Sequence, residues 1–197
     1  MKPRVAVGHL GLLLFFVTWS SPVFAGETIE ASSVSNPAPT EAFSVFDRFE
    51  AVPATMGSPY AEQKTNVVAL RDLQADLDKR LGPWLSEKNS QPAKSDPPRT
   101  LLIEPRIEKV KFIGTNARLW AGAFAGSSRV LIKVRFTDKA TGALVAEPEF
   151  YQHAAGMAGA WSFGAADKAM LERAASLVTD YVRANLDKAV GGPTGKE

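Results

Sequence analysis

The run VLIKVRF at residues 130–136 carries the clearest structural signal in the chain: Val130, Ile132, Val134 and Phe136 fall on one side, Lys133 and Arg135 on the other. Strict alternation of this kind marks a strand with one buried face. DKATG, residues 138–142, follows with Asp138 and Gly142 as turn residues, and ALVAEPEFY, residues 143–151, supplies a returning strand. The expectation is an antiparallel hairpin in which Pro148, lacking an N–H, limits the pairing of the second strand.

Upstream, TLLIEPRIEKVKFI at residues 100–113 reads as a further strand, with Ile107, Lys109 and Lys111 alternating against Glu108, Val110 and Phe112. Pro105 predicts a bulge or an edge position within it. FSVFDRF, residues 43–49, has the aromatic content of another short strand. Between the two, Ser58-Pro59 has the chemistry of a helix start. Val67, Leu70, Leu73, Leu77 and Leu81 then recur at three- and four-residue steps, predicting an amphipathic helix ended by Gly82-Pro83. SEKNSQPAKSDPPR, residues 86–99, reads as a surface loop. A second helix is expected over 166–190, with Met170, Ala174, Leu177, Val178 and Tyr181 on its apolar face and Gly191-Gly192-Pro193 as its stop. The fold class predicted is α+β: a four- or five-stranded mixed, mainly antiparallel sheet with two long amphipathic helices on one face.

The ends set the compartment. Lys2 and Arg4 precede an apolar run from Val5 to Trp19, and Val23-Phe24-Ala25 offers a small-residue cleavage site, so residues 1–25 read as a signal peptide and the periplasm as the destination. Residues 26–42, rich in Ser, Pro, Ala and Thr, read as a flexible leader. Residues 43–190 form the single domain and 191–197 a disordered tail. Cleavage removes two of the 23 basic side chains and none of the 21 acidic ones, leaving a formally neutral chain. That balance argues against nucleic acid or an anionic membrane surface as a partner. No integral membrane segment is expected in the mature chain. With no cysteine, the chain owes nothing to disulfides and has no thiol to carry a lipid anchor.

Catalytic sets are sparse. His153 is the single histidine beyond residue 25, and no GxSxG surrounds any serine, so a Ser-His-Asp site lacks its usual frame. One histidine without cysteine does not make a zinc site, and no DxDxDG loop is present. Glu147 and Glu149 flank Pro148 and read as the solvent side of a strand rather than as an acid/base pair. No catalytic residue, metal or cofactor is expected.

Two glycine-rich runs hold the remaining interest. WAGAFAGSSR, residues 120–129, lacks the lysine of a phosphate-binding loop, and AAGMAGAWSFGA, residues 154–165, precedes the second helix. Trp120 and Phe124 have two readings: packing beneath a helix with glycines allowing close approach, or exposure beside Trp161 and Phe163 as an apolar contact patch. Arg118 and Arg129 flank them as polar anchors on the second reading.

Arg118, Gly122, Phe124, Gly126 and Ser128, running into the alternating strand and then Asp138, Thr141 and Gly142, resemble the bacterial envelope family catalogued as domain of unknown function 4410. FSVFDRF and the glycine-rich connector are similar to that family too, and the resemblance spans roughly residues 43–186. It implies an envelope protein and carries no activity. The element order is also similar to small α/β domains of the curli-secretion lipoprotein, of penicillin-binding protein activators and of the amino-terminal part of TolB, which bind other envelope proteins; that is an analogy of fold. The expected function is a non-catalytic periplasmic protein that binds an envelope protein or assembles as a homo-oligomer. A small-ligand carrier or enzyme, with Arg118, Arg129 and His153 around one pocket, and a peripheral membrane-contacting protein are the alternatives.

Overall fold

The computed structural model describes residues 28–113, 127–154 and 164–197. The expected signal peptide lies outside them. The elements are β1 (Ser35–Asn36), β2 (Arg48–Ala51), β3 (Thr55–Met56), α1 (Lys64–Asn89), β4 (Thr100–Lys111), β5 (Arg129–Asp138), β6 (Leu144–Ala146), β7 (Glu149–His153), α2 (Ala165–Ala184) and β8 (Gly192–Pro193). The fold is the expected α+β arrangement. Six strands form the mixed main sheet because both edge strands are interrupted, β2/β3 at Val52–Ala54 and β6/β7 at Glu147-Pro148.

The hairpin forms as its alternation predicts. Val130, Ile132, Val134 and Phe136 are fully buried, and β5 runs antiparallel to β4, β6 and β7. A one-residue slip would turn these four side chains outward, at about 1.5–3 kcal/mol each, a sum comparable to the whole stability of a domain. The turn is held by Asp138, whose carboxylate accepts the N–H groups of Ala140 (2.9 Å) and Thr141 (3.3 Å), while Gly142 takes the positive φ of 72°.

Pro105 sits in the central strand rather than at an edge. β4 pairs with β2 up to Ile103 and with β3 from Arg106, both parallel, so Pro105 faces the gap where no donor is required. The irregularity in β4 falls at Glu108, between Ile107 and Lys109, and shifts the phase so that Ile107 and Val110 both point inward.

The 43–49 segment differs from the expected strand. Phe43 and Phe46 are both buried, three residues apart, because Phe43–Val45 form a 3₁₀ turn; β2 starts only at Arg48. Ser58-Pro59 likewise leads into a 3₁₀ turn, with the Gly57 carbonyl accepting from Tyr60 (3.0 Å) and Ala61 (3.2 Å), and α1 begins at Lys64 without a side-chain cap.

Helix α1 also runs through Gly82-Pro83 instead of stopping there. A mid-helix proline costs about 3 kcal/mol. Against that, Trp84 is buried edge-on to Phe49 at 4.8 Å between ring centroids, and an indole of roughly 200 Å² contributes about 5 kcal/mol. At the end of the helix Asn89 acts as one residue of a strand: its Oδ1 accepts from Phe49 N–H and its Nδ2 donates to Phe49 C=O, both at 2.8 Å. That closes the open edge of β2.

Helix α2 buries Met170, Ala174, Val178 and Tyr181 as predicted but ends at Ala184, capped by Asn185, well before Gly191. Both helices pack on one face of the sheet over a core that includes stacked Phe43 and Phe136, 5.0 Å apart, with Tyr181 beside them. Burial pushes the Tyr181 phenol up to about 12, and its O–H donates to Pro37 C=O at 3.0 Å.

Both expected loose ends are ordered where described. Ile29 and Ala31 lie on the outer, helix-free face in a second apolar cluster with Leu131 and Tyr151, β1 pairs antiparallel with β8, and Thr40 N–H donates to Val145 C=O at 2.9 Å. The polar composition concealed this, because the contacts are mostly backbone and amide bonds. Asn185, fully buried, anchors the tail: its Oδ1 accepts from Val190 and Gly191 N–H (2.8 Å each) and its Nδ2 donates to Tyr181 and Gly191 C=O (2.8 and 3.0 Å).

Candidate functional site at one end of the sheet

β4 ends, β5 begins and β7 ends at the same margin of the sheet, since Lys111 pairs with Arg129 and Arg129 with His153. The chain around them is tied at Ser128, which is fully buried. Its hydroxyl accepts from Ile113 N–H at 3.0 Å and its carbonyl from Ala154 N–H at 2.9 Å. Ile113, Ser128 and Ala154, described residues at the borders of the two glycine-rich runs, therefore meet at this margin. Arg118, Trp120, Phe124, Trp161 and Phe163 themselves lie outside the described residues.

Arg129, the remaining expected contact residue, faces the outer side, 3.7 Å from the Glu30 carboxylate. His153 is exposed at the end of β7, its ring 6.0 Å from that of Tyr151, and its carbonyl accepts from Arg173 Nη2 at 2.7 Å. Arg129 and His153 are cross-strand neighbours, but neither lines a concavity described below. Among the described residues no group of three or more His, Asp or Glu side chains stands in a metal-holding arrangement, and no helix is long and apolar enough to cross a membrane.

On the helix side of this margin is an apolar cleft. It is lined by Phe112, by Val68, Ala69 and Asp72 of α1, and by Gly164, Asp167, Lys168 and Leu171 at the start of α2. Its volume of about 150 Å³ is well under the several hundred Å³ of a small-molecule pocket, and suits one or two inserted side chains. Val68, in its lining, is 47% exposed, and Val67, on another side of α1, is 55% exposed, two of six large apolar side chains so exposed among the described residues. A helix with one buried stripe cannot turn two adjacent valines inward, and the core side is taken by Asn66, Ala69 and Leu73. Val67 therefore lies outside the apolar line to which its spacing assigned it. The adjacent pair in NVVALRDL was the available signal for this surface.

A larger, polar groove lies on the outer face among Thr55, Glu104, Arg106, Glu108, Lys133, Arg135 and Glu147. Its equal numbers of acids and bases and its lack of apolar lining set it apart from the usual ligand pocket.

At the opposite end of the sheet, a charged cluster is structural. Arg99 lies over the Phe46 ring at 4.4 Å and bonds Glu41 (2.7 Å) and Asp138 (2.9 Å), hydrogen bonds that raise its own affinity for the proton and lower that of Asp138. The Asp47 carboxylate accepts from the Ser95 hydroxyl, from Lys94 N–H at 2.5 Å and from Arg99 N–H at 3.1 Å, which together pull it down to about 2.

No family model and no curated protein matches the chain. Among solved structures it is similar to the PelC dodecamer from Paraburkholderia phytofirmans, at 15% identity over 78% of this chain and 95% of that one, with a TM-score of 0.38. It is also similar to a hypothetical protein from Chlamydia trachomatis, at 10% identity over 70% and 98% with a TM-score of 0.33. A third likeness is to a Xanthomonas campestris protein of the family DUF330, at 13% identity over 77% and 90%, with a TM-score of 0.33. All three likenesses are distant.

Proposed function

We propose that this chain is a non-catalytic protein of the bacterial envelope, exported to the periplasm, that acts by binding protein: another envelope protein or further copies of itself. The observation that carries the reading is the half-exposed Val68 in the lining of the apolar cleft, which also includes Phe112, next to the margin where Ile113, Ser128 and Ala154 meet. An apolar side chain from a partner would fill the cleft against Val68 and Phe112, and Asp72, Asp167 and Lys168 would supply a polar rim, the usual anatomy of a protein contact. The signal-like first 25 residues and the resemblance to domain of unknown function 4410 support the envelope setting.

The test is Val68→Asp in the full chain. A surface substitution leaves folding stability within about 0.5 kcal/mol, while a charge in the cleft weakens a contact there at least about 10-fold. Sedimentation of tagged chain from envelope extracts should show the wild type in a complex larger than one copy and Val68→Asp as free monomer. Retention of the same complex by Val68→Asp overturns the reading.

A further inference from the structure

The amino-terminal segment is held by contacts that do not depend on which copy supplies it. Ile29 and Ala31 pack on Leu131 and Tyr151. The Glu30 carboxylate lies 3.7 Å from Arg129 and 3.3 Å from Lys196, and Ser32 N–H donates to the Glu149 carboxylate at 2.7 Å. Ser33 C=O accepts from the Thr194 hydroxyl at 2.6 Å, and Val34 C=O from Thr194 N–H at 3.1 Å. Asn36 closes the edge of β7 with a pair of bonds to the Glu149 backbone, 2.7 and 2.8 Å. All these partners lie on β5, β7 or residues 193–196. The link from this strap to the rest of the domain is Pro37-Ala38-Pro39, whose first two residues are exposed.

We propose that this strip is an exchange site, which takes residues 28–36 of a second copy of the chain as well as its own. The proposal rests on the self-assembling form of the reading above and gives it a contact. None of the strap's side chains belongs to the main core, so the strap can leave while that core stays intact. A segment of nine residues spans roughly 30 Å when extended, enough to cross an interface. A proline-rich link is stiff and reduces the advantage that tethering gives a strap returning to its own strip. Identical contacts then make exchange a low-cost route to association, rising with concentration. The small apolar patch of Leu131 and Tyr151 on the outer face, covered in one copy by its own strap, becomes the place where two copies hold each other.

The chain has no cysteine, so introduced thiols report without ambiguity. Ser35 and Pro193 are register partners of β1 and β8. Two differently tagged full-length copies, one Ser35→Cys and one Pro193→Cys, are expressed together in an oxidising compartment. The expected product is a disulfide-linked heterodimer, at least tenfold more abundant than from Ser35→Cys with Leu144→Cys, and increasing with expression level. The double variant Ser35→Cys/Pro193→Cys in one chain should close on itself when dilute. Closure of the double variant without any heterodimer overturns exchange, as does failure of the double variant to close in either way. Neither result bears on the cleft, because Val68→Asp reads the other side of the sheet.

Discussion

Asn185→Ala removes the side chain on which the carboxy-terminal segment depends. The wild-type amide makes four hydrogen bonds at zero exposure, and they do not weigh equally. Tyr181 C=O still accepts from Asn185 N–H at 3.1 Å after the change, and Val190 is exposed enough for its N–H to find water. Gly191 is buried, however, and loses the Asn185 partners of both its N–H and its C=O. At about 1–3 kcal/mol for each stranded group, the loss is about 3 kcal/mol. For a chain of this length that lowers Tm by roughly 6–12 °C. The assay is thermal unfolding followed by circular dichroism, with amide exchange at Gly191 as the local readout. A fall below about 2 °C with Gly191 still protected would refute the claim that Asn185 seats β8, and with it the account of how the strap finds its partner strand.

Asp47→Asn should destabilise the protein in a pH-dependent way. The folded state holds this carboxylate near 2, below the ordinary range, so its contribution is complete at neutral pH and drains away as pH falls from about 4 towards 2. Urea titrations of wild type and variant should therefore differ most at neutral pH and converge in acid; a constant difference contradicts the assignment. Gly191→Ala and Gly142→Ala both place a side chain at positive φ, but only at Gly191 would the new Cβ run into Asn36 C=O. The first should cost well over about 2 kcal/mol and the second about 1 kcal/mol, read from urea midpoints. Equal costs would show that the approach of strap and tail is not tight.

The elements that alternate or repeat over many residues were legible in the sequence. VLIKVRF, its turn and its return, and the apolar stripe of α2, fall where their periods put them, because one buried face imposes one period. Pro83 and the expected strand at 43–49 misled for the same reason: local propensity lost to tertiary burial of Trp84, Phe43 and Phe46. The ordered ends were illegible because amides hold them. Asn36 and Asn89 satisfy backbone groups far away in sequence and Asn185 those of the turn that leads into the tail, and a lone asparagine in a polar stretch carries no periodic signal. Of the expected contact residues only Arg129 is described, and it serves the strap; Val68 instead marks the apolar surface at that end.

The most direct test of the protein-binding account is photo-crosslinking in living cells from a probe at residue 68, with a probe at exposed Leu144, at the far end of β5, as the control. The account predicts a discrete adduct from residue 68 to an envelope protein or to a second copy, and none from residue 144. The same pattern of adducts from both positions, or adducts from residue 144 alone, would contradict it.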